Sequence, residues 1–309
     1  MSILSKIKSR VCKVEWGVAI RERKSSSLFF ENNFTSQPIF IPIPNSFRYW
    51  AADPFVIEFK NKTHLFVELY DRLKRKGLIG YMDITNGVKT KFKVVFETNC
   101  HLSYPFCFIF EGDLYAIPES NNIKKLLLLK WDNEEESFYL KDTFMEGYCL
   151  ADSTFIMKDE DIYMLTTEVS NRDNVSTLSI FKHVGKKFMA SSQNPVVIDK
   201  TIARNGGNII HDKGTLYRVS QDCGKGYGSA INLMRIDILS LDDYKETLIK
   251  TILPSHIMVK GLDHIDGIHT YNSNARWEVI DYKISHKFSL AEIIGYALCK
   301  FKVFTKTEK

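Results

Sequence analysis

No two cysteines of this chain stand at C-x-x-C spacing. The six, Cys12, Cys100, Cys107, Cys149, Cys223 and Cys299, are scattered through 309 residues, which argues against a zinc site. Neither a metal nor a cofactor is expected. No run approaches the roughly 20 apolar residues that cross a bilayer. Residues 1–10 are polar and basic with no long apolar stretch behind them, unlike a secretion signal. Without export, the cysteines read as buried reduced thiols and the compartment as cytoplasmic. The formal charge of +5 is modest and gathers at the two ends and in a few turns. The middle of the chain has no basic stripe with interleaved aromatics, so no nucleic-acid partner is expected. What the chain does have is a hydrophobic content of 44%, enough to core one large domain or two ordinary ones.

A repeat runs through the middle. "YWAADPFVIEFKNKTHLFVELYD" (49–71), "SYPFCFIFEGDLYAIPES" (103–120), "ADSTFIMKDEDIYMLTTEVS" (151–170) and "RNGGNIIHDKGTLYRVSQD" (204–222) share one plan. Each has a polar head, a run rich in Phe, Ile and Val, a charged turn and a second such run, which is a hairpin signal. The heads Asp53, Tyr104, Asp152 and Asn205 recur at regular spacing. Glu68, Glu119, Glu168 and Gln221 close the second runs. A third strand follows in each unit, and "GIHTYNSNARWEVIDYKI" (267–284) reads as a fifth unit with "NSNAR" as its turn. Antiparallel repeats of about 50 residues predict an all-β, five-bladed β-propeller. A β-sandwich is the competing assignment, but it does not require such regular spacing. "EWGVAIRE" has strand character without a nearby partner and is expected to close the ring in the last blade. The chain divides into a basic segment (1–15), the propeller (16–285) and a basic C-terminal stretch (286–309).

Equivalent positions of successive blades converge on one end of a central channel. Asp53, Asp152, Glu68, Glu119, Glu168, Arg204, Asn205, Gln221 and His269 are therefore candidates for a single pocket. Each also has a purely structural explanation. Asp and Asn begin strands by binding backbone N–H groups. Arg204 can pair with Asp53 or Asp152 rather than bind a phosphate or carboxylate. His269 is as readily a hydrogen-bonded structural histidine. Trp50 and Tyr49 either stack on a bound ligand or fill the blade interface.

The runs "WAADPFVIE" and "GLIGYMDI" resemble the five-bladed carbohydrate-active propellers: arabinanases, xylosidases, fructosidases and mannoside phosphorylases. With "YAIPES", "LADSTF", "YRVSQDC" and "DGIHTYN", the chain is most similar to the propeller domain joined to glucosamine inositolphosphorylceramide transferases and to its bacterial surface-polysaccharide relatives. The resemblance implies Asp53 as base or nucleophile and Asp152 as the residue that tunes the acid. The fourth-blade Glu expected as general acid is replaced by Arg204 and Asn205. Glu168 and Glu119 are the nearest acids by pattern, and Glu168 is taken as the third catalytic candidate beside Asp53 and Asp152. Trp50, Glu68, Glu119, Arg204, Asn205, Gln221 and His269 are candidates for substrate binding. The expected activity is at a glycosidic bond, as a transferase in surface-glycan or glycolipid assembly. A hydrolase or phosphorylase of the same fold and a non-catalytic glycan-binding propeller are the alternatives. The expected substrate is a saccharide or sugar phosphate.

The C-terminal stretch spaces Leu290, Ile293, Ile294, Ala297, Leu298 and Phe301 as on one helix face, with Lys300, Lys302, Lys306 and Lys309 around them. Such a helix packs on the body or lies on an anionic membrane surface near a lipid-linked acceptor. The second reading makes the protein peripheral on the inner membrane face.

Overall fold

The computed structural model describes residues 12–24, 26–31, 37–169 and 177–287. Five sheets stand around a centre as blades, antiparallel except for a short parallel pair at the outer edge of the fifth, where Ile39 and Phe40 face Met258 and Val259. The first holds Tyr49–Phe59, Lys62–Asp71, Lys76–Asp83 and Lys93–Phe96, from the inside outward. The second holds Ser103–Phe110, Asp113–Glu119, Leu126–Asp132 and Ser137–Phe144. The third holds Leu150–Lys158, Asp161–Glu168, Thr177–Val184 and Lys187–Ala190, and the fourth Asn205–Asp212, Thr215–Asp222, Ala230–Leu239 and Tyr244–Ile252. The fifth is composite. Tyr271–Ser273 and Trp277–Lys287 come from one end of the chain, and Cys12–Glu22 and Ile39–Ile43 from the other. The N-terminal strand pairs along its whole length with Trp277–Lys287, from Cys12 opposite Lys287 to Glu22 opposite Trp277. The ring is thus closed by hydrogen bonds between distant parts of the chain, and no blade edge is left open at the seam. The expected C-terminal helix lies outside the described residues.

Local chemistry explains the inner hairpins. Their two-residue turns are Lys60–Asn61, Glu111–Gly112, Asp159–Glu160 and Lys213–Gly214. Every one of these residues has positive φ, between 46° and 79°. That is the type I′ turn, whose twist matches the flanking strands. The core lies between blades. Five apolar clusters fill the five junctions; the largest sets Phe55, Phe66 and Tyr81 of the first blade against Phe106, Trp131 and Phe138 of the second.

Each of the first four inner strands bulges near its start, between Ala52 and Phe55, Ser103 and Phe106, Ala151 and Thr154, and Asn205 and Ile209. The bulged residues Asp53, Tyr104 and Asp152 have φ of 47°, 43° and 48°, which for non-glycine residues costs about 1–2 kcal/mol each. The strain is held by carboxylates reaching across from other residues of the ring. Asp53 N–H donates to Asp281 Oδ2 (3.2 Å), Tyr104 N–H to Asp53 Oδ2 (3.0 Å) and Asp152 N–H to Glu119 Oε2 (3.2 Å). In the fourth blade the bulge contains Gly207 (φ 151°), where a Cβ would come within 2.0 Å of the Tyr271 carbonyl. The Tyr104 hydroxyl crosses the centre, donating to the Gly207 carbonyl and accepting from its N–H, both at 2.9 Å. The channel is plugged there, and what remains at one end is a blind cavity.

Candidate functional site

The cavity measures about 220 Å³, below the roughly 300–1,000 Å³ of pockets that take a drug-sized ligand, and so suits a single ring. It is lined by Trp16, Trp50, Ala52, Asp53, Glu68, Tyr70, His101, Ser103, Glu119, Asp152, Arg204, Tyr227 and His269. These side chains come from the starts of first strands, the ends of second strands and the loops beside them, except Trp16, which stands on Cys12–Glu22, the third strand of the fifth blade. They reach one place because the bulges turn the strand heads inward. Trp50 stacks on Tyr70 with ring centroids 4.6 Å apart at 14°. Across the mouth, Trp16 sits edge-on to His269 at 4.2 Å and to Tyr227 at 5.8 Å.

The floor is organised by charge. His269 is buried between two carboxylates, with Nε2 3.0 Å from Asp53 Oδ1 and Nδ1 2.9 Å from Asp281 Oδ2. Burial works against its charged form, but Asp281 and Asp53 outweigh burial and push its pKa up to about 10. For Asp53, burial alone would raise the pKa. The charge of His269, with hydrogen bonds from His269, Thr270 Oγ1 (2.9 Å) and the Tyr104 N–H, holds it below the ordinary value. Three of the four lone-pair directions of the Asp53 carboxylate are therefore in use. The ligand atoms of Asp53, His269 and Asp281 come within 4.8 Å of one another, as in a metal site. Here both ring nitrogens face carboxylates, and the imidazolium itself supplies the positive charge.

Glu68 and Glu119 are in the opposite condition. Burial, with Asp53 next in weight, drives the Glu68 carboxyl well above the usual carboxylate range. Its Oε1 is buried and accepts no hydrogen bond from the described residues. The nearest ring nitrogen is His101 Nε2 at 3.6 Å. His101 Nδ1 accepts from the Gly77 N–H (2.8 Å), which fixes the neutral ring's proton on Nε2, facing Glu68. Burial holds His101 below its ordinary value against the pull of Asp53, so the ring is neutral near pH 7. Glu119 is raised to about 8 by burial and Asp152, against the pull of Arg204. Asn121 Nδ2 donates to its Oε1 (2.8 Å).

Asp152 is clasped from behind. Arg204 Nε and Gln221 Nε2 (2.8 Å) both donate to its Oδ2, and Arg204 Nη2 also lies 3.5 Å from Glu119 Oε2. Arg204 thus pairs with Asp152 and Glu119 while its guanidinium lies 5.7 Å from the Tyr227 ring centroid.

Of the residues expected to share a pocket, the cavity brings together Trp50, Asp53, Glu68, Glu119, Asp152, Arg204 and His269. It does not include Glu168, Asn205 or Gln221. The register explains Glu168. Ala52 pairs with Glu68 and Ser103 with Glu119, but Ala151 pairs with Thr167. Glu168 is one residue past the equivalent position, and successive strand residues point to opposite faces. Asn205 and Gln221 are fully buried. Asn205 Nδ2 donates to the carbonyls of Asp152 (2.7 Å) and Leu165 (2.8 Å), so both residues brace the wall behind Asp152. Sequence reasoning missed Trp16, Tyr70, His101, Ser103, Tyr227 and the brace Asp281. Asp281 stands on a second strand opposite the head of the first, its N–H donating to the Thr270 carbonyl, as Glu68 and Glu119 stand opposite Ala52 and Ser103, so the repeat carried its signal. His101 and Tyr227 sit in inter-strand loops with no repeated pattern.

The family model described as "Glucosamine inositolphosphorylceramide transferase 1, N-terminal" matches residues 41–278. The chain is similar to glucosamine inositolphosphorylceramide transferase 1 of Arabidopsis thaliana, 30% identical over 244 residues, covering 76% of this chain and 31% of that protein. Its similarity to the protein of that name from Oryza sativa subsp. japonica is 29% over 205 residues, covering 64% and 27%. The chain therefore spans less than a third of the length of these curated relatives. Among solved structures, it superposes on an alpha-L-arabinofuranosidase from Podospora anserina in complex with cellotriose, with a TM-score of 0.55 and 8% identity over 80% of this chain and 96% of the other. The catalytic domain of a Coprinopsis cinerea alpha-L-arabinofuranosidase gives a TM-score of 0.55 and 8% identity over 87% and 96%. At such identities the likeness establishes the fold.

Proposed function

Since the chain belongs to the family of glucosamine inositolphosphorylceramide transferase N-terminal regions, we propose that its central cavity takes one sugar ring and works at that ring's glycosidic bond, as a transfer step in glycan or glycolipid assembly. One observation carries this reading: Asp53 and Glu68 face the same small cavity, and their surroundings push the two carboxyls in opposite directions, Asp53 below its ordinary value through His269 and Glu68 well above it through burial. Chemistry at an anomeric carbon passes through an oxocarbenium-like state and uses two such carboxyls. A protonated one serves the leaving oxygen, while an ionised one takes the proton of the incoming hydroxyl or attacks directly. Glu68 is the better donor, because its Oε1 has no competing partner whereas both oxygens of Glu119 are engaged. Asp53 is the ionised partner, its charge balanced by His269. The Trp50–Tyr70 pair and Trp16 provide faces against which a sugar ring stacks. The proposed setting is the cytoplasm, in surface-polysaccharide or glycolipid biosynthesis in bacteria. The free thiols Cys100, Cys107, Cys149 and Cys223 suit a reducing compartment.

A second reading has its own support. The relatives named as transferases are more than three times as long as the stretch they share with this chain. On that reading the propeller holds the glycan and another domain or protein performs the transfer. One experiment separates the two. The purified chain is offered activated sugar donors with and without glycolipid acceptors, and oligosaccharides alone, while saccharide affinity is followed by calorimetry. The transfer reading expects acceptor-dependent donor consumption, abolished in Asp53→Asn and reduced roughly 10²–10⁴-fold in Glu68→Gln, with affinity kept. Reducing sugar released without acceptor would mark a hydrolase. Affinity without turnover, changed by Asp53→Asn, would mark a binding module and sink the catalytic reading.

A further inference from the structure

His101 stands in the loop that joins the first blade to the second, between Lys93–Phe96 and Ser103–Phe110. Two hydrogen bonds fasten this loop to Gly77, on the third strand of the first blade. The Gly77 N–H donates to His101 Nδ1 (2.8 Å), and the Leu102 N–H donates to the Gly77 carbonyl (3.1 Å). A Cβ at position 77 would come within 2.1 Å of the Leu102 carbonyl and 2.6 Å of Glu68 Oε1, so glycine lets loop and acid approach this closely. The orientation of the ring follows from the backbone. Nδ1 accepts a backbone hydrogen and carries none of its own, so the neutral ring bears its proton on Nε2. That nitrogen points at Glu68 Oε1 from 3.6 Å.

The separation exceeds the roughly 2.7–3.2 Å of a hydrogen bond by about half an ångström. Oε1 has no other partner among the described residues, and the Glu68 side chain is only 8% exposed. The charged and titratable groups that act on it come from separate elements. Asp53 belongs to the first strand of the same blade, Glu119 to the second blade, and His269 and Asp281 to the fifth. Asp53, Glu119 and Asp281 favour a proton on Glu68, and His269 opposes it. His101 adds a neutral donor. A carboxyl that keeps its proton gains little from that donor. A carboxylate gains much more, because hydrogen bonds to an ionised acceptor are shorter and about twice as strong.

We propose that His101 is a positioning residue for Glu68: its Nε2–H stands off from the protonated carboxyl and closes on the carboxylate left when Glu68 gives its proton away. As the glycosidic C–O bond breaks, its electron pair passes to the leaving oxygen, which takes the proton of Glu68. His101 then donates a hydrogen bond to the carboxylate and keeps its own proton, since Nδ1 is held by Gly77 and takes up none in exchange. Asp53 gains the proton of the incoming hydroxyl, and both carboxyls return to their starting states by exchange with solvent. A bond made only as the proton moves favours the transition state over the resting complex. This role rests on the reading of Glu68 as the proton donor of the cavity. Its test contains no saccharide, so the two fail separately.

The whole chain, isotope-labelled at its glutamate carboxyl carbons and histidine ring nitrogens, is titrated by NMR from about pH 5 to about pH 10. The Glu68 signal is the one missing from Glu68→Gln. His101 is expected to carry its proton on Nε2, and that N–H signal is expected to move downfield as Glu68 ionises. His101→Asn keeps an oxygen for the Gly77 N–H and removes the donor at Nε2, so the acid dissociation constant of Glu68 falls about tenfold. His101→Gln returns an N–H near the place of Nε2 and restores the parent value to within about twofold. A mere fastener of the loop gives the reverse order, with His101→Asn like the parent and His101→Gln altered, and that order overturns the proposal. Equal change in both variants, or in neither, overturns it as well. So does a proton found on Nδ1, or a Glu68 carboxyl that titrates in the ordinary carboxylate range or is still protonated at about pH 10. The tautomer and the coupled shift are read on the parent chain, and they decide the matter even where a variant fails to fold.

Discussion

Replacing Glu119 by Gln is expected to stabilise the protein, and increasingly so as the pH rises. In the fold, burial and Asp152 lift the Glu119 carboxyl to about 8 from an ordinary 4.5. In the unfolded chain the same group ionises around 4.5. A group raised in this way favours the folded state fully below pH 4.5 and loses that contribution as the pH climbs through 8. Each unit of separation corresponds to about 1.4 kcal/mol. At pH 6 the penalty of holding Glu119 in the fold is about 2 kcal/mol, and at pH 9 about 5 kcal/mol. Glutamine keeps an oxygen for the Asp152 N–H and has nothing to titrate. Its lost bond from Asn121 weighs equally at both pH values and drops out of the comparison. The advantage of Glu119→Gln over the parent should thus grow by about 3 kcal/mol between pH 6 and pH 9. Urea unfolding of both proteins at both pH values measures it, with each pair read at one pH so that other titrations cancel. An advantage equal at the two pH values, or a variant less stable than the parent at pH 9, would refute the claim that Glu119 holds a proton at neutrality.

Two further outcomes follow from the cavity's construction. His269→Gln removes the cation between Asp53 and Asp281 and should cost about 3–5 kcal/mol in a urea titration at pH 7. In the parent, the His269 contribution is fully present below pH 6.5 and should fade as the pH rises through about 10, which a melting series over that range detects. Gly77→Ala places a Cβ 2.1 Å from the Leu102 carbonyl and 2.6 Å from Glu68 Oε1. Neither backbone nor buried acid gives way easily, so about 1–3 kcal/mol of stability is lost and saccharide binding weakens with it; calorimetry on the folded fraction measures both.

The ring of blades was legible in the sequence because its signals are local and repeated. Two-residue turns at 60–61, 111–112, 159–160 and 213–214 need positive φ at both residues, and the chain supplies Asn or Gly at the second position of three of them. "EWGVAIRE" announced a strand in want of a partner, and it found one in the last blade. What spacing cannot convey is register. Heads and closing acids were aligned by counting, and a count carries an error of one residue. In a strand, one residue is the difference between two faces. In the third blade the position equivalent to Glu68 and Glu119 belongs to Thr167, so Glu168 turns away from the cavity. In the fourth blade the register moves by two residues across the bulge at 205–209, where the first three each move by one, which sends Asn205 and Gln221 into the wall.

The same bulges decide how the recurrent acids should be understood. The structural and the chemical explanations of each acid compete only if a carboxylate can do one thing. Here Asp53 caps the Tyr104 N–H with one oxygen and meets His269 with the other. Glu119 caps the Asp152 N–H while it borders the cavity. In the first three blades a left-handed residue at the strand head offers its N–H across the ring, and a carboxylate is the strongest acceptor to answer it. Once several such carboxylates have been drawn to one end of a channel, their mutual repulsion and burial force some to keep a proton while the one beside His269 gives it up. A cavity lined by carboxyls of unlike proton affinity is thus a consequence of how the blades are fastened, and Glu68 is the member whose Oε1 caps no backbone group among the described residues.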